Sequence, residues 1–135
     1  MHLKIITPRK IVIDEDIKSV TMPSAEGEIT VLPHHSRLLS VLNEGIITIR
    51  NEKEEHHLAI GGGYVETDGT DVTVLVSRAY NQTEIDEQLT LKAMEEAKKM
   101  LKEVKDVTQR LEAAALLRRS IIDIKLIKRH KKKVS

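Results

Sequence analysis

Up to Val76 the apolar positions come in short alternating runs. Leu3 and Ile5 flank a lysine, Ile29 and Val31 flank Thr30, Ile47 and Ile49 flank Thr48, and Leu58 and Ile60 flank Ala59. A period of two sends successive side chains to opposite faces, so each run predicts a strand with one face in a core and the other in solvent. Ile11 to Ile13, the set Ile17, Val20 and Met22, and the run Val72-Thr73-Val74-Leu75-Val76 add further strands. The joints are turn formers: Thr7-Pro8-Arg9-Lys10, Pro23-Ser24-Ala25 and Asp68-Gly69. All 6 glycines and all 3 prolines precede residue 70. Roughly eight to ten short strands with tight connections predict an antiparallel sandwich or flattened barrel.

Within that pattern, Gly27-Glu28-Ile29-Thr30-Val31-Leu32-Pro33-His34-His35-Ser36-Arg37-Leu38-Leu39 reads as a strand, a loop stiffened by one proline, and a second apolar run. Gly45 then opens a new strand. The stretch holds no nucleophile with its base, so its expected use is as a docking face. Gly61-Gly62-Gly63 could be mistaken for a phosphate cradle. A P-loop needs a Lys-Ser/Thr pair and a following helix, whereas Tyr64-Val65-Glu66-Thr67 reads as strand, so close backbone approach or a bulge is expected.

After Val76 the period changes. Ser77 to Gln82 reads as a polar connection containing Tyr80, and from Thr83 onward there is neither glycine nor proline. Thr83 is the expected N-cap, with Glu84, Asp86 and Glu87 placing negative charge at the positive end of a helix dipole. Ile85, Leu89, Ala93, Ala97, Met100, Leu101 and Val104 recur at three or four residues and form one stripe, whose alanines permit close approach of another helix. Val107, Leu111, Ala114, Ala115, Ile121, Ile122 and Leu126 form a second, and Asp106 with Gln109 makes a capping box. The simplest reading is an antiparallel hairpin turning near Lys105-Asp106. No helix breaker sits there, so one continuous rod is also compatible. The fold class is therefore α+β, with a β-domain over 1–82 and a two-helix domain over 83–135.

Composition sharpens this picture. Residues 1–82 carry 8 Lys/Arg against 12 Asp/Glu, and 83–135 carry 14 against 9, so a net charge of +1 hides an acidic part and a basic part. The basic part is suited to an acidic surface: nucleic acid, anionic lipid or an acidic protein segment. There is no cysteine, so no disulfide framework or thiolate metal site is available and a reducing compartment is expected. The aromatic residues are Tyr64 and Tyr80, which leaves an aliphatic core and removes the stacking platforms used to hold single-stranded nucleic acid. Neither a leader pattern nor a stretch approaching ~20 apolar residues is present, so a cytosolic or peripheral protein is expected.

Candidate chemistry is sparse. His34-His35 and His56-His57 are adjacent pairs, and neighbours on a strand point apart, so each can offer one imidazole to a common centre; no metal is expected. Glu26 and Glu28 are read as sharing a strand face, without a catalytic arrangement. The basic residues Lys98, Lys99, Lys102, Lys105, Arg110, Arg118, Arg119, Lys125, Lys128 and Arg129, with Lys131 to Lys133, form either a solvated helix face or an electrostatic contact that weakens with salt.

Taken in order, these motifs resemble the epsilon subunit of bacterial F-type ATP synthase over essentially the whole chain. The resemblance is carried by Ile5-Ile6-Thr7-Pro8, by Gly27-Glu28, and by Leu32-Pro33-His34-His35 with Leu38, Leu42 and Gly45. It continues in Gly62-Gly63-Tyr64-Val65-Glu66 and in Val72 to Leu75, ahead of a two-helix tail. It implies a flattened β-sandwich of about ten strands and a helical hairpin. It also implies a non-catalytic rotor subunit bound to the gamma subunit and to the c-ring, at the cytoplasmic face of the bacterial membrane, with no self-association. The ring contact implied is Glu28 with Leu32, Pro33, His35 and Leu38 beside it.

The same resemblance implies a regulatory tail. Extended, the helices enter among the alpha and beta subunits and block ATP hydrolysis, with Lys98, Lys99, Lys102, Arg118, Arg119, Lys125, Lys128 and Arg129 facing an acidic segment of beta. Several family members bind ATP on the folded hairpin through Ile-Asp-x-x-Arg-Ala and later arginines. Ile85 and Asp86 match, and Arg119 aligns with the first later arginine, but Leu89 and Thr90 replace Arg-Ala and Asp123 stands at the second. Losing two cations and gaining an acid, at roughly 1.5–3 kcal/mol for each charge-assisted bond, makes weak or absent ATP binding the expectation and leaves the protein without a cofactor. The competing classes are an ATP-sensing member of the family and a free-standing nucleic-acid-binding module with a steep salt slope.

Overall fold

The structure is a computed structural model that describes residues 1–34 and 37–134, the last four of these by backbone alone. The chain divides between Asn81 and Gln82 into two compact units.

The first unit is all strand: β1 (His2–Ile6), β2 (Ile11–Asp16), β3 (Ser19–Ser24), β4 (Gly27–Val31), β5 (Leu38–Leu42), β6 (Gly45–Arg50), β7 (Glu55–Ile60), β8 (Gly63–Thr67), β9 (Asp71–Val76) and β10 (Ala79–Tyr80). Pairing runs β10-β7-β6-β3-β5-β8-β9-β1-β2, with β4 on the remaining side of β3. β3 meets β5 through one residue pair, Ser24 with Leu42, so two five-stranded ladders join at a single point. The expected ten-strand sandwich is therefore present. It is not antiparallel throughout, because β1 and β9 run parallel. A parallel pair needs a long crossover, and the chain between these two strands builds seven others. The connection after Val76 also holds the short strand β10, where a polar link was expected.

Inward residues follow the period of two. Leu3, Ile5, Val20, Met22, Val31, Leu42, Ile47, Ile49, Ile60, Val65, Val72 and Val74 are buried in one aliphatic cluster. Each contributes roughly 1.5–3 kcal/mol relative to exposure. Two of the three glycines permit close approach: a Cβ on Gly63 would sit 1.9 Å from the Leu75 carbonyl oxygen, and one on Gly61 would sit 2.0 Å from Ser77 Oγ. The β3–β4 turn is Ala25-Glu26, closed by the Ser24 hydroxyl donating to the Gly27 carbonyl, with Gly27 at φ 118°. Glu26 thus lies in the turn and does not share a strand face with Glu28, because β3 runs on through Pro23 and Ser24 and the chain reverses at Ala25-Glu26.

The second unit begins with a 3-10 turn over Gln82–Glu84, then α1 (Glu87–Glu103) and α2 (Val107–Val134). Asp86, not Thr83, caps α1, its Oδ1 accepting from Leu89 N at 3.0 Å. Aspartate is the stronger cap, and Thr83 is taken into the 3-10 turn. Residues 104–106 leave the helical conformation, and α1 packs along α2, so the hairpin is realised and the continuous rod is not. Ala97 and Ala113 are fully buried, as expected of small residues at a close helix crossing. The stripe expected on α2 is displaced over its first turns: Val107 and Leu111 are 69% and 66% exposed, while Leu126 is buried as expected and Ala113, Ser120 and Ile127, outside the expected set, are buried with it. Apolar residues occupy more than one face of α2, and the alanine face wins because it admits the closer approach. Leu89 likewise leaves the expected stripe of α1 and is exposed.

Candidate functional site

The loop read as a docking face begins at the rim of β4. Glu28 is exposed and sits opposite Pro23 across the β3–β4 ladder. Leu32 and Pro33 are exposed, and His34 takes φ 66°, a left-handed conformation that its own side chain disfavours. Its N–H donates to the Gly69 carbonyl at 3.0 Å. That carbonyl belongs to a turn tied by Asp68, whose Oδ1 accepts from Asp71 N at 2.8 Å, Thr70 N at 2.9 Å and Thr70 Oγ1 at 3.0 Å. These bonds hold the Asp68 carboxyl below its usual range. His35 lies outside the described residues. Leu38 is half-buried against the core, so its side chain is turned inward, and the exposure passes to its neighbour Leu39 at 72%.

Leu39 leads to a surface that motif reading missed. On the outer face of the β5-β8-β9-β1-β2 ladder, Val41 pairs with Tyr64, Tyr64 with Leu75, Leu75 with Ile6, and Ile6 with Ile11. Five apolar side chains thus form one row across five strands. Val41, Tyr64 and Ile11 are 60%, 49% and 53% exposed. With Leu39 they present on the order of 400 Å² of apolar surface, within the range of functional patches on small proteins. The signal was available as outward positions of alternating strands occupied by Val, Tyr and Ile. Reading it required the register that brings the strands side by side.

Farther along the same face the character changes to charge. Leu39, Glu66, Thr73, Lys4 and Asp14 form the next row, followed by Asp71, His2 and Asp16. His2 bridges two aspartates, Nδ1 to Asp16 at 2.8 Å and Nε2 to Asp14 at 2.5 Å. The bond to Asp16, then that to Asp14, raises the imidazole pKa above its ordinary value, and the bond to His2 lowers that of Asp16.

In the helical unit, Lys98, Lys99, Lys102, Arg118, Arg119, Lys125, Lys128 and Arg129 are all exposed, and Lys98 lies 3.9 Å from Glu95. Of the incomplete nucleotide motif, Ile85 is half-buried, and the Asp86 carboxylate is engaged as a helix cap. Arg119 stands on exposed α2. His56 contacts Glu54 at 2.7 Å, and His57 contacts Thr48 at 2.9 Å and Glu55 at 3.3 Å. Among the described residues no three His, Cys, Asp or Glu gather to hold a metal, and no helix is long and apolar enough to cross a membrane.

The chain is thus a ten-stranded sandwich with an exposed apolar row on one ladder, followed by a helical hairpin with exposed cations. Residues 1–82 match the family described as ATP synthase, Delta/Epsilon chain, beta-sandwich domain. The chain belongs to that family, among the ATP synthase epsilon chains. The epsilon chain of Sulfurovum sp. (strain NBC37-1) is 42% identical over 103 residues, which is 76% of this chain and 80% of that one. That of Nitratidesulfovibrio vulgaris (strain DP4) is 35% identical over 121 residues, 90% of each chain. The chloroplastic epsilon chain of Lotus japonicus is 34% identical over 120 residues, 89% of this chain and 90% of that one. In fold, the chain is similar to one from the Euglena gracilis mitochondrial ATP synthase, with TM-score 0.71 at 21% identity over 98% of this chain and 80% of that one.

Proposed function

We propose that this chain is the non-catalytic epsilon subunit of a rotary ATP synthase, carried in the central stalk at the cytoplasmic face of the membrane. Ion flow through the c-ring turns the stalk, and the β-sandwich transmits that rotation by standing between ring and gamma subunit. The observation that carries the reading is the apolar row Val41, Tyr64, Leu75, Ile6 and Ile11 with Leu39 beside it. Surface of that kind is unfavourable in water and is stabilised by a partner, here gamma. Glu28, Leu32 and Pro33 lie outside the row, on β4 and the loop after it, and meet the polar loops of the c-ring.

The helical unit is the regulator. Its exposed cations meet an acidic segment of beta when it extends, and hydrolysis stops. ATP is not held on the folded hairpin, since Leu89 and Asp123 stand at two of the cation positions.

Two measurements test this. In the assembled enzyme, Val41→Asp with Tyr64→Asp releases the subunit from gamma, whereas Lys53→Asp, on an exposed turn away from the row, leaves it bound. Ending the chain at Gln82 raises ATP hydrolysis several-fold with the complex intact. Retention of the double variant on gamma refutes the docking role. An unchanged hydrolysis rate refutes the regulatory one.

A further inference from the structure

The turn between the helices contains no residue that forbids a helix, so side chains decide whether it bends. In a helix running through residues 102–108, the Leu101 carbonyl would accept from Lys105 N and the Val104 carbonyl from Thr108 N. Neither bond is made in the hairpin. Arg110 Nη1 donates to both carbonyls, closely to Leu101 O and at 3.1 Å to Val104 O. Thr108 N–H donates instead to Asp106 Oδ1 at 3.2 Å. The two groups that would have to meet, Val104 O and Thr108 N, are each held by a side chain instead, the first by Arg110 from α2 and the second by Asp106 from within the break. Val104 itself is extended, at φ −92° and ψ 133°, with its N–H returned to Met100 O at 2.9 Å. The charges also suit the helix ends: a guanidinium covers the negative end of α1 and a carboxylate the positive end of α2.

From this geometry we infer that Arg110 and Asp106 form a two-sided latch that sets the balance between the folded hairpin and an extended helix. Either side chain, once removed, frees one partner of the Val104–Thr108 bond. Bonds to a charged group of this kind are strong enough to shift a two-state ratio about ten-fold each when exposed to solvent. The inference rests on the regulatory reading above only for its consequence, since extension is what inhibits; the latch stands on the turn itself.

The chain has no cysteine, so dyes placed through Gln88→Cys and Lys125→Cys report the hairpin specifically. In the hairpin they lie one helix-pair width apart, and in an unbroken helix about 55 Å apart. Energy transfer in the full chain should show the long-distance population rising about ten-fold with Arg110→Gln and with Asp106→Ala. Asp106→Asn still caps a helix and should stay near the parent value. Unchanged distances in both Arg110→Gln and Asp106→Ala overturn the latch, as does an equal rise with Asp106→Asn. ATP hydrolysis by enzyme carrying Arg110→Gln should fall. A distance shift without that fall keeps the latch and removes the regulatory reading.

Discussion

Gly63→Ala should be far more damaging than Gly62→Ala, although the two residues are neighbours. A Cβ at Gly63 would lie 1.9 Å from Leu75 O and 2.8 Å from Val76 Cα, whereas one at Gly62 meets only Leu42 O at 3.6 Å, an ordinary contact. Relief requires about 1 Å of backbone movement even to reach the tightest tolerated separation. Gly63 pairs with Leu42 on β5 and with Val76 on β9, so neither side can yield without breaking a ladder. Overpacking of about 1–3 kcal/mol and one or two lost hydrogen bonds of about 1 kcal/mol each give a loss of roughly 3–5 kcal/mol. That is a large share of the ~5–15 kcal/mol of a typical domain. Gly62→Ala should stay within about 1 kcal/mol of the parent, since restricting the unfolded chain offsets part of any crowding. Urea unfolding followed by tyrosine fluorescence reads the sandwich, because Tyr64 and Tyr80 both lie in its strands. Unfolding free energies for the two variants within about 1 kcal/mol of each other would refute the reasoning.

Other predictions follow from single contacts. The raised pKa of His2 means that its stabilising contribution is complete below about pH 6.5 and is lost as pH rises through the folded value; that of Asp16, lowered from 3.8, is lost as pH falls through its folded value. His2→Gln should therefore lower the unfolding midpoint more at pH 5.5 than at pH 9, and an equal loss at both removes the ionic account. His34→Asn should stabilise the sandwich by about 0.5–1 kcal/mol in thermal unfolding, because asparagine enters the left-handed region more readily than histidine. Asp86→Ala should cost the helical unit about 1 kcal/mol and Asp86→Asn little, as read by helical circular dichroism on heating.

The sandwich was legible because Ile, Val and Leu at a period of two, punctuated by glycine and proline, leave few alternatives. The hairpin was legible in outline, but the period of 3.6 could not choose among faces of α2, and the small side chain of Ala113 decided against Val107 and Leu111. Thr83 was misplaced as the cap by three residues and Glu26 was put on a strand face it does not reach, which is where hydrogen bonding by Asp86 and Ser24 outranks apolar pattern. Of the docking surface, the loop with Glu28, Leu32 and Pro33 announced itself through its proline and glycines. The row of Val41, Tyr64 and Ile11 did not, because its members are far apart in the chain and adjacent only through register.

The parallel pairing of β1 with β9 has a consequence for synthesis. His2 to Ile6 leave the ribosome some seventy residues ahead of their second neighbours, Asp71 to Leu75. At roughly 5–20 residues per second the first hairpin waits about 4–14 s with one edge of β1 unpaired and Leu3 and Ile5 uncovered. Folding of the sandwich is thus bound to long-range closure and slow in principle. The nascent chain is most exposed to mispairing before Val72 emerges, and it is there that a chaperone has the most to protect.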